Sequence, residues 1–270
     1  MGTAQKKFGK FAGVFTPSIL TILGVIMYMR LGWVVGQAGL IATIGIILIA
    51  HIISISTGLS ISSIATDKKI KTGGIYYMLS RSLGLPMGGS IGLTLFVGTA
   101  LSISLYIIGF AESFLSIQEI QEFLNLEPNI DSLRIIGTAV IVFLVILAFI
   151  STSLAIKTQF FILAAIFLSL ISIGAGLVMN SSSGGAIHYQ PFTEHEPLAL
   201  VFAIFFPAVT GFTAGVAMSG DLKDPKKNIP RGTLFAIITG LIVYLALAAG
   251  FAFFVNPEIL ATDTNFLITI

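Results

Sequence analysis

The chain has 270 residues, 56% of them hydrophobic and only 10% charged. No soluble globular domain has that balance, and the absence of cysteine excludes a disulfide scaffold or a thiolate-ligated metal. The net charge of +2 says little, but the positions of the charges say more.

No charged residue occurs between Arg30 and Asp67, Arg81 and Glu112, Arg134 and Lys157, Lys157 and Glu194, Glu196 and Asp221, or Arg231 and Glu258. Each gap holds a membrane span of about 20 residues. Residues 1–10, with Lys6, Lys7 and Lys10, form an N-terminal segment before a first span over 11–35. That run is too long for a removable signal peptide and has no small-residue cleavage site. Gly36-Gln37-Ala38-Gly39 turns the chain into a second span, 40–64, and Asp67-Lys68-Lys69-Ile70-Lys71 follows as a basic loop. Thr72-Gly73-Gly74 introduces a short amphipathic helix over 75–83, ended by Gly84-Leu85-Pro86. The third span, 86–115, leads into an acidic segment carrying Glu119, Glu122, Glu127 and Asp131. Spans four and five, 135–150 and 158–179, are joined by a turn whose one charge is Lys157. A long loop over 180–197, with a Ser-Ser-Ser-Gly-Gly run, precedes an interrupted sixth span, 198–218. A charged loop over 220–231 leads to a seventh span, 233–255, and 256–270 begins an extracellular loop.

Numbering the loops alternately puts twelve of the fourteen Lys and Arg residues on the side of the N-terminus, leaving Arg30 and Arg134 on the other. The opposite side holds nine of the twelve carboxylates. The excess of basic residues places the N-terminus in the cytoplasm of a multi-pass cell-membrane protein.

Two stretches are poor recipes for continuous helix. Phe205-Phe206-Pro207-Ala208-Val209-Thr210-Gly211-Phe212-Thr213-Ala214-Gly215 packs a proline, two threonines and two glycines into the middle of span six. Thr16-Pro17-Ser18-Ile19-Leu20-Thr21-Ile22-Leu23-Gly24 is a second interrupted stretch, in span one. A helix that gives up its hydrogen-bond ladder at mid-depth frees main-chain groups that lipid cannot satisfy. Paired interruptions in two halves of a chain point to a transporter's binding site. Freed carbonyls replace the hydration shell of an alkali cation, while the amides that begin the next half-helix favour an anion. The candidate cation ligands are the carbonyls of Thr21, Ile22 and Pro207 and the hydroxyl of Thr210. The candidate anion ligands are the amides of Gly24, Val25 and Ile26 and of Gly211, Phe212 and Thr213. No carboxylate lies in either break, which favours a monovalent cation beside a halide-like anion over a proton or a divalent metal. The alternative is that Pro and Gly mark mere kinks.

Thr21-Ile22-Leu23-Gly24-Val25-Ile26-Met27-Tyr28-Met29-Arg30-Leu31-Gly32-Trp33-Val34-Val35-Gly36-Gln37-Ala38-Gly39 closely resembles the first span of the cation-chloride cotransporters. Leu105-Tyr106-Ile107-Ile108-Gly109-Phe110-Ala111-Glu112 is similar to their third span. Phe206-Pro207-Ala208-Val209-Thr210-Gly211, Ser219-Gly220-Asp221-Leu222-Lys223-Asp224-Pro225 and Ile229-Pro230-Arg231-Gly232-Thr233 look like their sixth span and the loop behind it. Thr72-Gly73-Gly74 and the stretch from Pro225 to Gly232 also suit the wider amino acid-polyamine-organocation superfamily.

The resemblance implies an all-α, leucine-transporter-like fold of two inverted five-helix repeats with helices 1 and 6 discontinuous. It implies electroneutral, secondary symport of chloride with potassium, sodium or both. By matched position it assigns potassium to Thr21, Ile22, Tyr106, Pro207 and Thr210, and chloride to Gly24, Val25 and Ile26 and to Gly211, Phe212 and Thr213. A tyrosine at 106 goes with the potassium carriers of that family. The family's sodium ligands lie on an eighth span, facing the positions of Leu20 and Leu23 here. Thr21 stands where the family usually has asparagine, so main-chain ligation carries over and a side-chain contribution is in doubt. The family's fold needs spans eight to ten, and this chain is therefore read as truncated after about seven.

Arg30 follows Gly24 by six residues and Glu112 follows Tyr106 by six, so both lie about 9 Å outward of the site at helical rise. They read as an external gate closed by an ion pair, or as residues at the headgroup boundary. His51, among Ser54, Ser56 and Thr57, reads as a buried histidine bonded to a neighbouring helix, with a proton relay as the alternative, and His188 and His195 read as solvated. Gly13, Gly92, Gly98 and Gly174 read as close-approach positions between helices. Neither a transition metal nor a cofactor is implied, and no nucleophile, base and oxyanion arrangement suggests an enzyme. The partners are inorganic ions and the bilayer, with no nucleic acid, and a homodimer is left open. The alternatives are an amino acid or polyamine carrier of the same fold and a non-transporting or truncated membrane fragment.

Overall fold

The computed structural model describes residues 7–67, 73–150, 152–179, 191, 195–263 and 267. Lys6, the basic stretch 68–71, Thr72, the Ser-Ser-Ser-Gly-Gly run, His188 and Glu194 lie outside the described residues. Helices occur in the order α1 (Phe11–Ile22), α2 (Val25–Asp67), α3 (Gly74–Leu83), α4 (Leu85–Leu115), α5 (Gln118–Leu124) and α6 (Ile130–Ile150). They continue with α7 (Thr152–Met179), α8 (Leu198–Phe205), α9 (Thr213–Ala217), α10 (Pro225–Phe254) and α11 (Pro257–Thr262). Among the described residues, six stretches are long and apolar enough to cross a membrane, while Phe11–Ile22 is shorter.

Two compact units emerge, one of residues 1–92 with 162–270 and one of residues 93–161. The smaller has a modest core of Ala111, Leu115 and Ile136, with Phe114, Leu126, Leu133 and Val140 against it. Its connecting segment is tied by Gln121, whose side-chain amide donates to the Leu115 carbonyl at 2.6 Å. Asn129 supports the start of α6, its Oδ1 accepting from the amides of Asp131 and Ser132 at 3.1 and 2.9 Å.

The larger unit contains both interrupted spans. Its core joins Val14, Ile19 and Ile22 of α1, Leu31, Val34 and Ile47 of α2, Val201 and Phe205 of α8, and Ala236, Tyr244 and Phe251 of α10. The opposite face of α10 presents Phe235, Ile238 and Ile242 outward, as suits a helix whose solvent is lipid. At 43 residues, α2 would be about 65 Å long if straight, twice the hydrocarbon thickness. It instead doubles back at Gly39, whose φ of 68° lies in the left-handed region that side chains disfavour. The Thr43 hydroxyl meets the Val34 carbonyl at 3.3 Å, although nine residues of straight helix would separate them by about 13 Å. The expected turn at 36–39 is thus concentrated in one residue.

The segments of each end gather together. Phe8 pairs with Leu222 through Phe8 N–H to Asp221 O at 2.8 Å and Lys223 N–H to Phe8 O at 2.9 Å. Lys226 Nζ donates to the Asp67 carbonyl at 3.2 Å at the same end. At the other end the buried Gln37 accepts from the Glu196 amide at 2.8 Å, and α11 lies against Gly36.

Several glycines of this unit are contact points, though not all those that composition suggested. Val14 is wedged between Gly215 and Gly232, and Gly13 faces Leu222. Gly92 faces the ring of Tyr76. Gly98 and Gly174, by contrast, have nothing within 4 Å of where a Cβ would stand. Their helices take no packing advantage from the missing side chain, so the close-approach reading is corrected for both.

A methyl group on Gly36 would fall 2.6 Å from the Ala261 nitrogen and 2.9 Å from the Leu260 carbonyl carbon, backbone atoms that cannot rotate away. Gly36→Ala is expected to destabilise by about 1–3 kcal/mol through overpacking. Gly174→Ala, in open space, is expected to be neutral or to gain up to about 1 kcal/mol of helix propensity. Thermal unfolding of the two variants in detergent reads the opposite signs.

Candidate ion-binding site

Pro17 stands where the π-helical turn Phe11–Phe15 passes into the α-helical stretch Thr16–Ile22, and α1 ends five residues later at Ile22. Leu23 leaves helical geometry, with φ −88° and ψ 35°, and α2 restarts at Val25 with Met27 N–H on the Gly24 carbonyl at 3.0 Å. The last carbonyls of α1 and the first amides of α2 have no partner to find within their own helices. In the sixth span, α8 gives way at Phe206–Val209 to a tighter 3₁₀ turn containing Pro207. Thr210 and Gly211 are unwound, and α9 begins at Thr213 with Ala214 N–H on the Gly211 carbonyl at 3.1 Å.

The two breaks touch. The Thr21 hydroxyl lies 2.6 Å from the Gly211 carbonyl, and also within reach of Pro17 O at 3.0 Å and Ser18 O at 2.9 Å in its own helix. Gly211 allows this approach, because a Cβ there would stand 2.6 Å from the Thr21 hydroxyl oxygen and 2.8 Å from its carbonyl carbon. One turn earlier, Ser18 donates to the Phe212 carbonyl at 2.8 Å and accepts from the Gly215 amide at 3.3 Å. A single buried hydroxyl therefore closes both a carbonyl and an amide that the broken sixth span leaves open.

Other helices supply further clamps. Ser54 of α2 donates to the Val209 carbonyl at 3.0 Å, and Tyr244 of α10 donates to the Ile22 carbonyl at 2.7 Å. Within the sixth span, Thr210 donates to the Pro207 carbonyl at 2.8 Å. Thr210 is exposed, while Pro207 and Gly211 are half-buried, so this side of the break opens outward from the core. Thr21, Leu20, Gly24, Val25 and Thr213 are half-buried as well, and Ile22, Leu23, Ile26 and Phe212 are buried. Arg30 lies half-buried on α2 beyond the break. Tyr106 and Glu112 belong to the other unit, on α4, and are both half-buried.

His51 is buried but does not bond a neighbouring helix through its Nδ1, which meets the Ile47 carbonyl of its own helix at 2.9 Å. A carbonyl only accepts, so Nδ1 carries the proton, and the buried Nε2 has no hydrogen-bond partner. Ser18 was legible only as a member of the first interrupted stretch and Tyr244 not at all, since a lone serine or tyrosine on an apolar helix carries no motif.

The chain matches the amino acid permease family over residues 13–266. It belongs to that family. It is 38% identical over 256 residues to human solute carrier family 12 member 1, covering 90% of this chain and 23% of that protein. To human solute carrier family 12 member 2 it is 37% identical over 255 residues, covering 90% and 21%. To the bumetanide-sensitive sodium-(potassium)-chloride cotransporter of Manduca sexta it is 36% identical over 257 residues, covering 88% and 24%. The chain spans about a quarter of the length of these relatives or less. Within the permease family its likeness is thus to the cation-chloride cotransporters, transporters and not enzymes. Together with its long apolar helices, that makes this permease-family member a multi-pass membrane protein with an all-α, leucine-transporter-like architecture.

Ser18→Ala is expected to cost about 1–3 kcal/mol, because it strands a buried carbonyl and a buried amide at once. Ser18→Thr keeps the hydroxyl but adds a methyl beside Gly215. Comparing the melting temperatures of both variants separates the lost hydrogen bonds from crowding.

Proposed function

We propose that this chain serves secondary, electroneutral symport of chloride with potassium across the cell membrane. The observation that carries the reading is the meeting of the two breaks at Thr21 and Gly211, which brings unwound main chain from both spans to one place. The carbonyls of Thr21, Ile22 and Pro207, the Thr210 hydroxyl and the Tyr106 hydroxyl take the place of water around potassium. The amides of Gly24, Val25 and Ile26 hold one chloride, and those of Gly211, Phe212 and Thr213 a second. Helix α9 has only five residues, so its macrodipole is small and the individual N–H groups do most of the work there. Leu20 and Leu23 are the positions where sodium would be held if it is also carried. Amino acid carriage by the same fold fits less well, because Leu23-Gly24-Val25 is a bulkier stretch than the closely spaced glycines that would let a substrate carboxylate meet bare amides.

The N-terminal segment shares its end of the unit with the loop after the sixth span and the end of α2. That grouping supports a single basic face toward the cytoplasm. Arg30 and Glu112 form the outer gate in this reading.

Reconstituted into vesicles, the chain is expected to take up rubidium only when chloride is present and to leave amino acids outside. Chloride-independent rubidium uptake, or amino acid uptake in its place, would falsify the reading. Tyr106→Phe is expected to raise the rubidium concentration for half-maximal uptake by about five- to tenfold, the value of one lost polar ligand. Arg30→Gln or Glu112→Gln is expected to speed ion entry from outside with the rubidium-to-sodium preference unchanged. A changed preference would count against the gate.

A further inference from the structure

Among the described residues Tyr244 is the largest fully buried side chain, with 0% exposure on α10. Its ring stands edge-on to Phe205 at 5.3 Å and 83°, and edge-on to His51 at 6.0 Å and 62°. A buried phenol must find a hydrogen-bond partner. The Tyr244 hydroxyl donates to the Ile22 carbonyl, 222 residues away in sequence and 2.7 Å away in space. Gly240, one turn earlier on α10, makes this possible. A Cβ there would lie 2.6 Å from the Ile22 side chain, so the α10 backbone abuts the last turn of α1 at this level.

We propose that Tyr244 sets the cation preference of the site, by donating from behind to a carbonyl that the cation meets from the front. This rests on the ion-site reading above, in which the Ile22 carbonyl is a cation ligand. A carbonyl oxygen has two lone pairs, and the phenol engages one. Two consequences follow. The hydrogen bond fixes the direction in which the remaining lone pair points, and it draws electron density from the oxygen, weakening the field that oxygen presents to an ion. Weaker ligand fields favour the cation that is cheaper to dehydrate, potassium over sodium. The ring's packing against Phe205 and His51 leaves it no room to swing away, so the bond is a fixed part of the wall rather than a transient contact.

The test is ligand stabilisation of the 270-residue chain in detergent. Melting temperature is followed against potassium chloride and sodium chloride, with choline chloride holding ionic strength and chloride constant, so that each shift yields an apparent affinity. Tyr244→Phe keeps the ring and removes the hydroxyl. The expected result is a potassium-to-sodium affinity ratio moved about fivefold toward sodium. A merely structural role lowers the melting temperature without salt and leaves the ratio alone, which overturns the proposal. Incorporating 3-fluorotyrosine at 244 makes the phenol a stronger donor in the same space and must move the ratio toward potassium. An unchanged ratio there overturns the proposal even where the Phe variant does not fold. If the unaltered chain shows no potassium-specific stabilisation, the ion-site reading itself falls, and this proposal with it. If it does while neither substitution moves the ratio, only the role of Tyr244 is lost.

Discussion

A main-chain carbonyl set free inside a bilayer has no water to turn to, and leaving it bare costs several kcal/mol. The larger unit of this protein is arranged around that constraint. Two spans give up their helical ladders, and hydroxyl groups close on the freed oxygens: Thr21 on Gly211, Ser18 on Phe212, Ser54 on Val209 and Tyr244 on Ile22. Each of these bonds crosses from one helix to another. The unwound segments are consequently held in place by their surroundings rather than by their own geometry.

Such clamping requires backbones to come close, and small residues permit it. Gly211 admits Thr21, Gly240 admits Ile22, and Gly215 and Gly232 receive Val14 between them. The glycines and the hydroxyls are two halves of one device. The first lets the helices approach, and the second satisfies what the approach exposes. A larger residue at Gly211 or Gly215 would press on the Thr21 or Ser18 hydroxyl, and one at Gly232 or Gly240 on the side chain of Val14 or Ile22.

An arrangement of this kind suits small inorganic ions better than organic solutes. The groups offered at the breaks are neutral dipoles, carbonyls on one hand and helix-starting amides on the other, and the neighbouring Leu23 and Ile26 are buried in the core. A cation and an anion bound side by side compensate one another without a charged side chain at mid-depth, where ionised groups are expensive.

The places where the helices break were legible in the sequence, because Pro17, Gly24, Pro207 and Gly211 interrupt apolar runs too uniform to hide them. The hairpin at Gly39 and the amphipathic α3 were legible for the same reason: turn-forming glycines stand out against long aliphatic stretches. Periodicity and composition describe how a segment treats its own backbone, and that is a local property. Which hydroxyl answers which carbonyl is not local. Tyr244 and Ile22 are 222 positions apart, and Ser18 and Phe212 are 194 apart. The expectation for His51 missed on this ground, since its ring turned back to Ile47 of its own helix. The open space at Gly98 and Gly174 is non-local in the same way. The sequence by itself determined that the chain crosses a membrane repeatedly and where two crossings come apart. Only the packing of α1, α2, α9 and α10 decided that the two openings face each other, because hydrogen bonds between distant segments exist only once the chain has brought them together.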